Sequence, residues 1–453
     1  MKEDLDIFRE LALGLLSEEE KNPIAPTVSS DIISSLVDLE IEDTPLSEEA
    51  FKKSISGLLK YTPKTSTPEF FNQLFGGRQG KAVIGELLAA MLNNSMYTYK
   101  VGGPMIMMEK AIFTKLKTLV GYPTTAEGTI ATGGSMTNFM AMLMARDKYA
   151  PEIRTSGQGP TLVAYTSQES HYSVDKNAVF AGIGKDNVRK ISSDAEGKMK
   201  VQELSKAIQK DKAEGKLPFF VNATSGTTVL GAFDPLREIS EICQQEDLWM
   251  HIDGAYGGAC LFSEKYKHLL DGCELSDSFS YNAHKMLGVP ITCSLILTKH
   301  KKYMYDSFSN EASYLYQTDT DEINPGKISL QCGRRNDALK FWSLWKSVGT
   351  DGLRDMVDHQ YHLADVAREY VRNNADYTLY NDGPSVNICF NYKGLSPDLL
   401  CNSLYEHSEL MIGYGSFKGV RFIRLVTINA NNNEKDIMNF FEKLEAHAEA
   451  LLN

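Results

Sequence analysis

PFFVNATSGTTVLGAFDPLREISEICQQEDLWMHIDGAYGG, residues 218–258, switches periodicity twice. PFFVNA (218–223) and LWMHID (248–253) are unbroken apolar runs too short for helices, the pattern of strands buried on both faces. Between them PLREISEICQQE (235–246) repeats its apolar residues at helical spacing: Leu236, Ile239, Ile242 and Cys243. Asp234 is expected as its N-cap, with Pro235 at the first helical position. A strand, a helix and a strand in succession predict a parallel pair with its crossover. Moving outward, TLVAY (161–165), DSFSYN (277–282) and CSLILT (293–298) are further strand candidates, and VQELSKAIQKDKAEG (201–215) is a second helix. The expected fold is α/β, a mainly parallel sheet with helices on both faces.

The flanks read differently. Residues 1–65 form a helical N-terminal segment that runs out in the extended connector YTPKTSTPEF (61–70). Residues 66–345 are expected as the large α/β domain. Residues 346–453 are expected as a smaller α+β domain, with strands in YTLYND, SVNICF and RFIRLVT and a closing amphipathic helix, NEKDIMNFFEKLEAHAEALL.

Among the 453 residues, 47 Lys and Arg stand against 59 Asp and Glu, a net charge of −12 that argues against a nucleic-acid partner and an anionic membrane surface. The seven cysteines are scattered, with no Cys-x-x-Cys pair, so they read as reduced thiols and not as a disulfide frame or a zinc site. The N-terminus, MKEDLDIFRELALGLLSEEE, lacks the basic-then-apolar order of a signal peptide, and no apolar run is long enough to span a bilayer. A cytoplasmic protein without a membrane or metal partner is expected.

Parallel sheets bind ligands beyond the carboxyl ends of their strands. There the sequence places Asp253 in HIDGAYGG; Asn282, His284 and Lys285 in SYNAHKMLGVP; His171 in TSQESHYS; and the polar run Thr224 to Thr228. Lys285 lies in an apolar stretch, and a desolvated lysine has a lowered pKa and a nucleophilic amine. TGGSMTN (132–138) opens a helix with two glycines and hydroxyl residues, which suits an anion such as phosphate, although it is neither GxGxxG nor a P-loop. A nucleophilic lysine, a carboxylate, a flat histidine and a phosphate cradle are together the parts that pyridoxal phosphate requires. Singly, each has a plainer reading: a turn after a strand for HIDGAYGG, a hydrogen-bonded structural histidine for His171, a loop-to-helix junction for TGGSMTN, and a lysine snorkelling to the surface for Lys285.

These blocks resemble the pyridoxal-phosphate-dependent group II amino-acid decarboxylases, in the branch of glutamate decarboxylase and cysteine sulfinate decarboxylase. The resemblance runs from about residue 67 to the C-terminus. PEFFNQL (68–74), MYTYK (96–100), GGSMTN (133–138), TSQESHYS (166–173), FVNATSGTTVLGAFDPL (220–236), WMHIDGAYGG (249–258), NAHKMLGVPITCS (282–294), ASYLYQ (312–317), QCGRR (331–335) and RFIRLV (421–426) occur in family order. It implies the fold type I transferase-like architecture, with a seven-stranded sheet. It also implies that Lys285 binds the cofactor covalently, Asp253 pairs with the pyridine nitrogen, His171 stacks on the ring and Ala255 packs on its other face. Met136, Thr137, Asn282 and His284 would hold the phosphate, Thr227 would lie near the ring oxygen, and Arg424 and Gln73 would face the substrate. A homodimer is implied as well, with residues near 318–335 reaching the partner's cofactor.

Two departures bear on the reaction. The family's mobile loop carries a tyrosine that protonates the substrate carbon, whereas TDTDEINPGKISL (318–330) is shorter and has none. Either another acid such as His171 serves, or the outcome changes to that of a decarboxylating aldehyde synthase. Lys100 to Pro104 also replaces the family's glutamate and apolar residues. Ser95 and Tyr97, in NNSMYTY, resemble cysteine sulfinate decarboxylases more than glutamate decarboxylases. They favour cysteine sulfinate, cysteate or aspartate over glutamate, with aromatic or basic substrates still open. A catalytically silent binding or scaffold homologue is the alternative from another class.

Overall fold

The computed structural model describes residues 1–312, 314–316 and 320–452, and it divides into two compact units. Arg78–His362 with Asn381–Asn387 form one; Met1–Gly77, Leu363–Tyr380 and Ile388–Asn453 form the other. Residues 1–65 thus share a unit with the C-terminal segments.

The first of these is built on a seven-stranded sheet: β1 (Glu127–Ala131), β2 (Leu162–Ser167), β3 (Val188–Ile191), β4 (Leu217–Thr224), β5 (Trp249–Gly254), β6 (Ser278–Asn282) and β7 (Ser294–Thr298), in the order β1-β7-β6-β5-β4-β2-β3. β3, β2, β4, β5 and β6 are parallel, and β7 alone runs against its neighbours β6 and β1. The continuous apolar runs of β4 and β5 are buried along nearly their whole length, as strands covered on both faces must be.

Four helices carry the argument here: α1 (Gly80–Leu92), α2 (Gly134–Tyr149), α3 (Val201–Ala213) and α4 (Leu236–Glu246). α4 buries Leu236, Ile239 and Cys243, the stripe expected from its spacing. Its N-terminus differs from expectation. Pro235 precedes the helix, and the buried Asp234 carboxylate accepts from Thr224 N–H (2.8 Å) and Met199 N–H (2.7 Å) instead of capping it. Two buried backbone donors would be left unpaired if the carboxylate turned to the helix end instead. α2 is buried on most of its circumference, and Met140, Met144 and Ala145 share a core with Phe219, Phe220, Trp249 and Ile296. Each fully buried large side chain is worth about 1.5–3 kcal/mol, so this cluster anchors α2, and hence its N-terminus, on the sheet.

The other unit carries β8 (Tyr377–Leu379), β9 (Asn387–Tyr392), β10 (Gly413–Phe417) and β11 (Val420–Val426), ordered β10-β11-β9-β8. The helix Glu434–Leu452 buries Phe440, Phe441 and Leu444, and Phe441 stacks on Tyr370 at 4.1 Å. No helix among the described residues is long and apolar enough to cross a membrane.

Candidate active site

Alternation along two strands builds the centre. Trp249, His251 and Asp253 share one face of β5, and Ser278, Ser280 and Asn282 share one face of β6, with His251 opposite Ser278 and Asp253 opposite Ser280. Beyond β6 the chain turns tightly. Lys285 N–H donates to Asn282 O and Gly288 N–H to Lys285 O, which sets Lys285 over the strand ends.

Lys285 keeps some accessible surface, yet protein packs densely around its amine. Burial pulls its pKa below the usual lysine range, and the Asp253 charge offsets this only in part. No hydrogen bond or ion pair engages its ammonium among the described residues. His171 feels both groups. Burial lowers its pKa, Asp253 raises it and Lys285 lowers it, so the structure brings the three predicted reactive side chains within electrostatic reach of one another. Ser173 N–H points at His171 Nδ1 (3.2 Å), so the neutral ring carries its proton on Nε2.

Asp253 is held from two sides. Its Oδ1 accepts from Ala255 N–H (3.1 Å) and its Oδ2 from Asn138 Nδ2 (2.7 Å). Its backbone carbonyl accepts from Ser225 N–H, which draws the Thr224–Thr228 segment to the same place. Thr227 is buried, and its hydroxyl accepts from Ala232 N–H (3.0 Å) inside the turn that follows β4.

The N-terminus of α2 closes on these strands. A Cβ on Gly134 would lie 2.8 Å from Asn282 Nδ2 and 3.2 Å from the Ala255 Cβ, so Gly134, Asn282 and Ala255 converge. Asn282 Oδ1 is buried without a hydrogen-bond partner. His284 Nδ1 accepts from Cys293 N–H (3.0 Å), leaving the ring neutral with its N–H on Nε2, and burial lowers its pKa to about 4. Met136 N–H donates to Gly133 O (3.0 Å), and the Thr137 hydroxyl donates to Gly134 O (2.9 Å). A desolvated amine without a partner, a braced carboxylate and an asparagine amide nitrogen beside a helix N-terminus fit pyridoxal phosphate.

Ser95 and Tyr97 make other contacts. Ser95 Oγ lies 3.4 Å from Cys332 O and from Arg334 N. Tyr97 stacks on Tyr316 at 5.8 Å, its hydroxyl accepts from Asn310 Nδ2 (3.3 Å), and its carbonyl accepts from Gly326 N–H (2.8 Å). Of the loop 318–330, Thr318 and Asp319 lie outside the described residues, whereas Asn324 to Lys327 are buried. In the other unit, Arg424 donates to Asn72 O (2.6 Å), beside the exposed Gln73. Among the described residues no cluster of three or more His, Cys, Asp or Glu could hold a metal ion.

Asn138 and His251 escaped the sequence reading. Asn138 closes the motif TGGSMTN one turn after Gly134, and His251 stands two residues before Asp253 on the same strand face. Both positions follow from periods of 3.6 and 2, applied to residues already singled out.

A family model described as the pyridoxal-dependent decarboxylase conserved domain matches residues 31–393. Cysteine sulfinic acid decarboxylase of Homo sapiens is 37% identical, over 88% of this chain and 85% of that protein. Acidic amino acid decarboxylase GADL1 of Mus musculus is 35% identical, over 97% and 84%. The crystal structure of mouse CSAD in apo form superposes with a TM-score of 0.91 at 32% identity, covering 97% of this chain and 98% of that one.

Proposed function

The chain belongs to the pyridoxal-dependent decarboxylase family, and from that premise we propose that it removes the α-carboxylate of a small acidic amino acid, releasing the amine and carbon dioxide. The observation that carries this reading is Lys285: a buried amine with a lowered pKa, facing no counter-ion but the field of Asp253. Cysteine sulfinate, cysteate and aspartate are the favoured substrates and glutamate the next. The names of the human and mouse relatives and the Ser95/Tyr97 pair support that order.

Pyridoxal phosphate supplies a conjugated ring into which the electrons of the broken Cα–carboxylate bond can move. The chain supplies the rest. Lys285 would supply the amine that attaches the cofactor, and its lowered pKa brings the unprotonated form closer to reach. Asp253 would hold a proton on the ring nitrogen, and His171 and Ala255 would pack against the ring. Asn282, the Nε2–H of His284 and the first N–H groups of α2 favour the phosphate. Thr227 would stand by the ring oxygen. Arg424 orients the substrate through its α-carboxylate, beside Gln73. With no tyrosine in residues 318–330, His171, protonated on Nε2, is the donor assigned to Cα.

The protein acts as a homodimer in this reading. α1 supports it: its small residues Ala82, Gly85 and Ala89 face inward, Gly85 against the backbone of Leu339 and Lys340, while Ile84, Leu87, Leu88, Met91 and Leu92 are exposed. An exposed apolar stripe of that kind marks an interface, and analytical ultracentrifugation tests it. A cytoplasmic location fits seven free thiols, six of them buried.

Borohydride reduction followed by peptide mapping tests the lysine. The reading predicts a single pyridoxyl adduct at Lys285, and loss of adduct, visible absorbance band and turnover in Lys285→Ala. Substantial turnover by Lys285→Ala would overturn it.

A further inference from the structure

Behind Asp253 a chain of hydrogen bonds runs into the core: Asp253 Oδ2 to Asn138 Nδ2 (2.7 Å), Asn138 Oδ1 to His251 Nε2 (3.0 Å), His251 Nδ1 to Ser278 Oγ (2.9 Å), and Ser278 Oγ to Trp249 Nε1 (2.8 Å). All five residues are buried. The directions follow from the carboxylate end of the chain. An indole N–H only donates, so Ser278 Oγ accepts from Trp249, and the hydroxyl keeps both a proton to give to His251 Nδ1 and a second lone pair. At the other end, a carboxylate without a proton only accepts, so the Asn138 amide must turn its nitrogen to Asp253 and its oxygen to His251. The His251 ring must therefore accept at Nδ1 and donate at Nε2, with Ser280 Oγ (3.3 Å) as a second acceptor. The Asp253 end selects this tautomer, and Ser278 is able to donate to it. Burial, which lowers the His251 pKa to about 4, keeps the ring neutral.

We propose that Asn138 and His251 are positioning residues that hold the Asp253 carboxylate aimed at the cofactor. Neither touches the reacting atoms. His251 fixes the amide orientation of Asn138, and the Asn138 N–H stabilises charge on Oδ2 while leaving the outward lone pairs of the carboxylate free. A flipped amide would set oxygen against oxygen, and a ring protonated on Nδ1 would set its bare Nε2 against the Asn138 oxygen. The proposal rests on the assignment of Asp253 to the pyridine nitrogen.

Two experiments test it. Nitrogen-15 NMR of histidine in the apoprotein should show His251 as the neutral Nε2–H tautomer, unchanged from pH 5.5 to 8. An Nδ1–H ring, or a midpoint near 6.5, would overturn the relay whatever the enzyme's substrate. In the loaded enzyme, Asn138→Ala and His251→Phe should each lower kcat about 10–100-fold and weaken pyridoxal phosphate binding about 10-fold, with KM changed less than 3-fold. His251→Gln, whose amide can donate to Asn138 and accept from Ser278, should recover most of kcat and affinity. Equal defects in His251→Phe and His251→Gln, or loss of melting temperature with normal kcat and cofactor affinity, would make the relay structural only. Wild-type protein that bound no cofactor while showing the Nε2–H tautomer would leave the relay standing and refute the functional reading instead.

Discussion

Gly134 at the start of α2 and Asn282 at the end of β6 approach so closely that a Cβ on the glycine would sit 2.8 Å from the asparagine amide nitrogen. Gly134 does not occupy the left-handed region, so an alanine there meets a shortage of space and not a backbone penalty. Gly133 is the converse, with φ +97° and open space around it. Gly134→Ala should therefore raise the dissociation constant for pyridoxal phosphate about 10-fold or more. Gly133→Ala should act mainly on stability, by about 1–2 kcal/mol. Fluorescence titration and urea unfolding of the apoproteins separate the two, and equal cofactor affinity in Gly134→Ala and wild type would count against a phosphate at this junction.

Lys285 should cost the apoprotein stability. Its folded pKa is lowered, so below that pKa both states hold the proton and the full penalty applies. Between the folded pKa and the unfolded value of about 10.4 the unfolded chain binds more protons, and the penalty fades as pH rises. Lys285→Met should melt higher than wild type near pH 6.5, with the gap closing by about pH 10. A gap independent of pH would show that charge is not its cause.

Arg424 offers a different signature. If its guanidinium pairs with the substrate's α-carboxylate, loss of a charged hydrogen bond worth about 1.5–3 kcal/mol raises KM about 10- to 150-fold in Arg424→Ala. The visible band of the bound cofactor should stay as it is. Loss of that band would make Arg424 structural.

Asp234 is buried and accepts from two backbone N–H groups, and burial pushes its carboxyl up to about 7. Asp234→Ala strands both donors, and at about 1–3 kcal/mol for each unsatisfied group the loss should be about 2–6 kcal/mol. Urea unfolding measures it. A loss below 1 kcal/mol would mean that water replaces the carboxylate.

The parallel core of the sheet was legible because β2, β4 and β5 carry apolar runs near helical stretches and β6 alternates Phe279 and Tyr281 with polar residues, each within about two residues of its reading. β3, Val188–Ile191, was not, since four residues with Arg and Lys among them carry no apolar run. β1, EGTIA, hides for a similar reason: only part of it is buried. Lys285, Asp253 and His171 could be singled out as candidates because chemistry restricts which residue types can serve. Asn138 and His251 were not, because polar side chains buried behind a carboxylate announce themselves only once helix and strand are superposed. Asp234 misled because a carboxylate before a proline has the local form of a cap, and only the tertiary fold shows which N–H groups it meets.

The most direct test of the decarboxylase reading is a product assay. Holoenzyme incubated separately with cysteine sulfinate, cysteate, aspartate, glutamate and an aromatic amino acid should yield the amine and carbon dioxide in equal amounts from the short acidic substrates, with glutamate slower. Aldehyde with hydrogen peroxide, or turnover confined to a non-acidic amino acid, would contradict it.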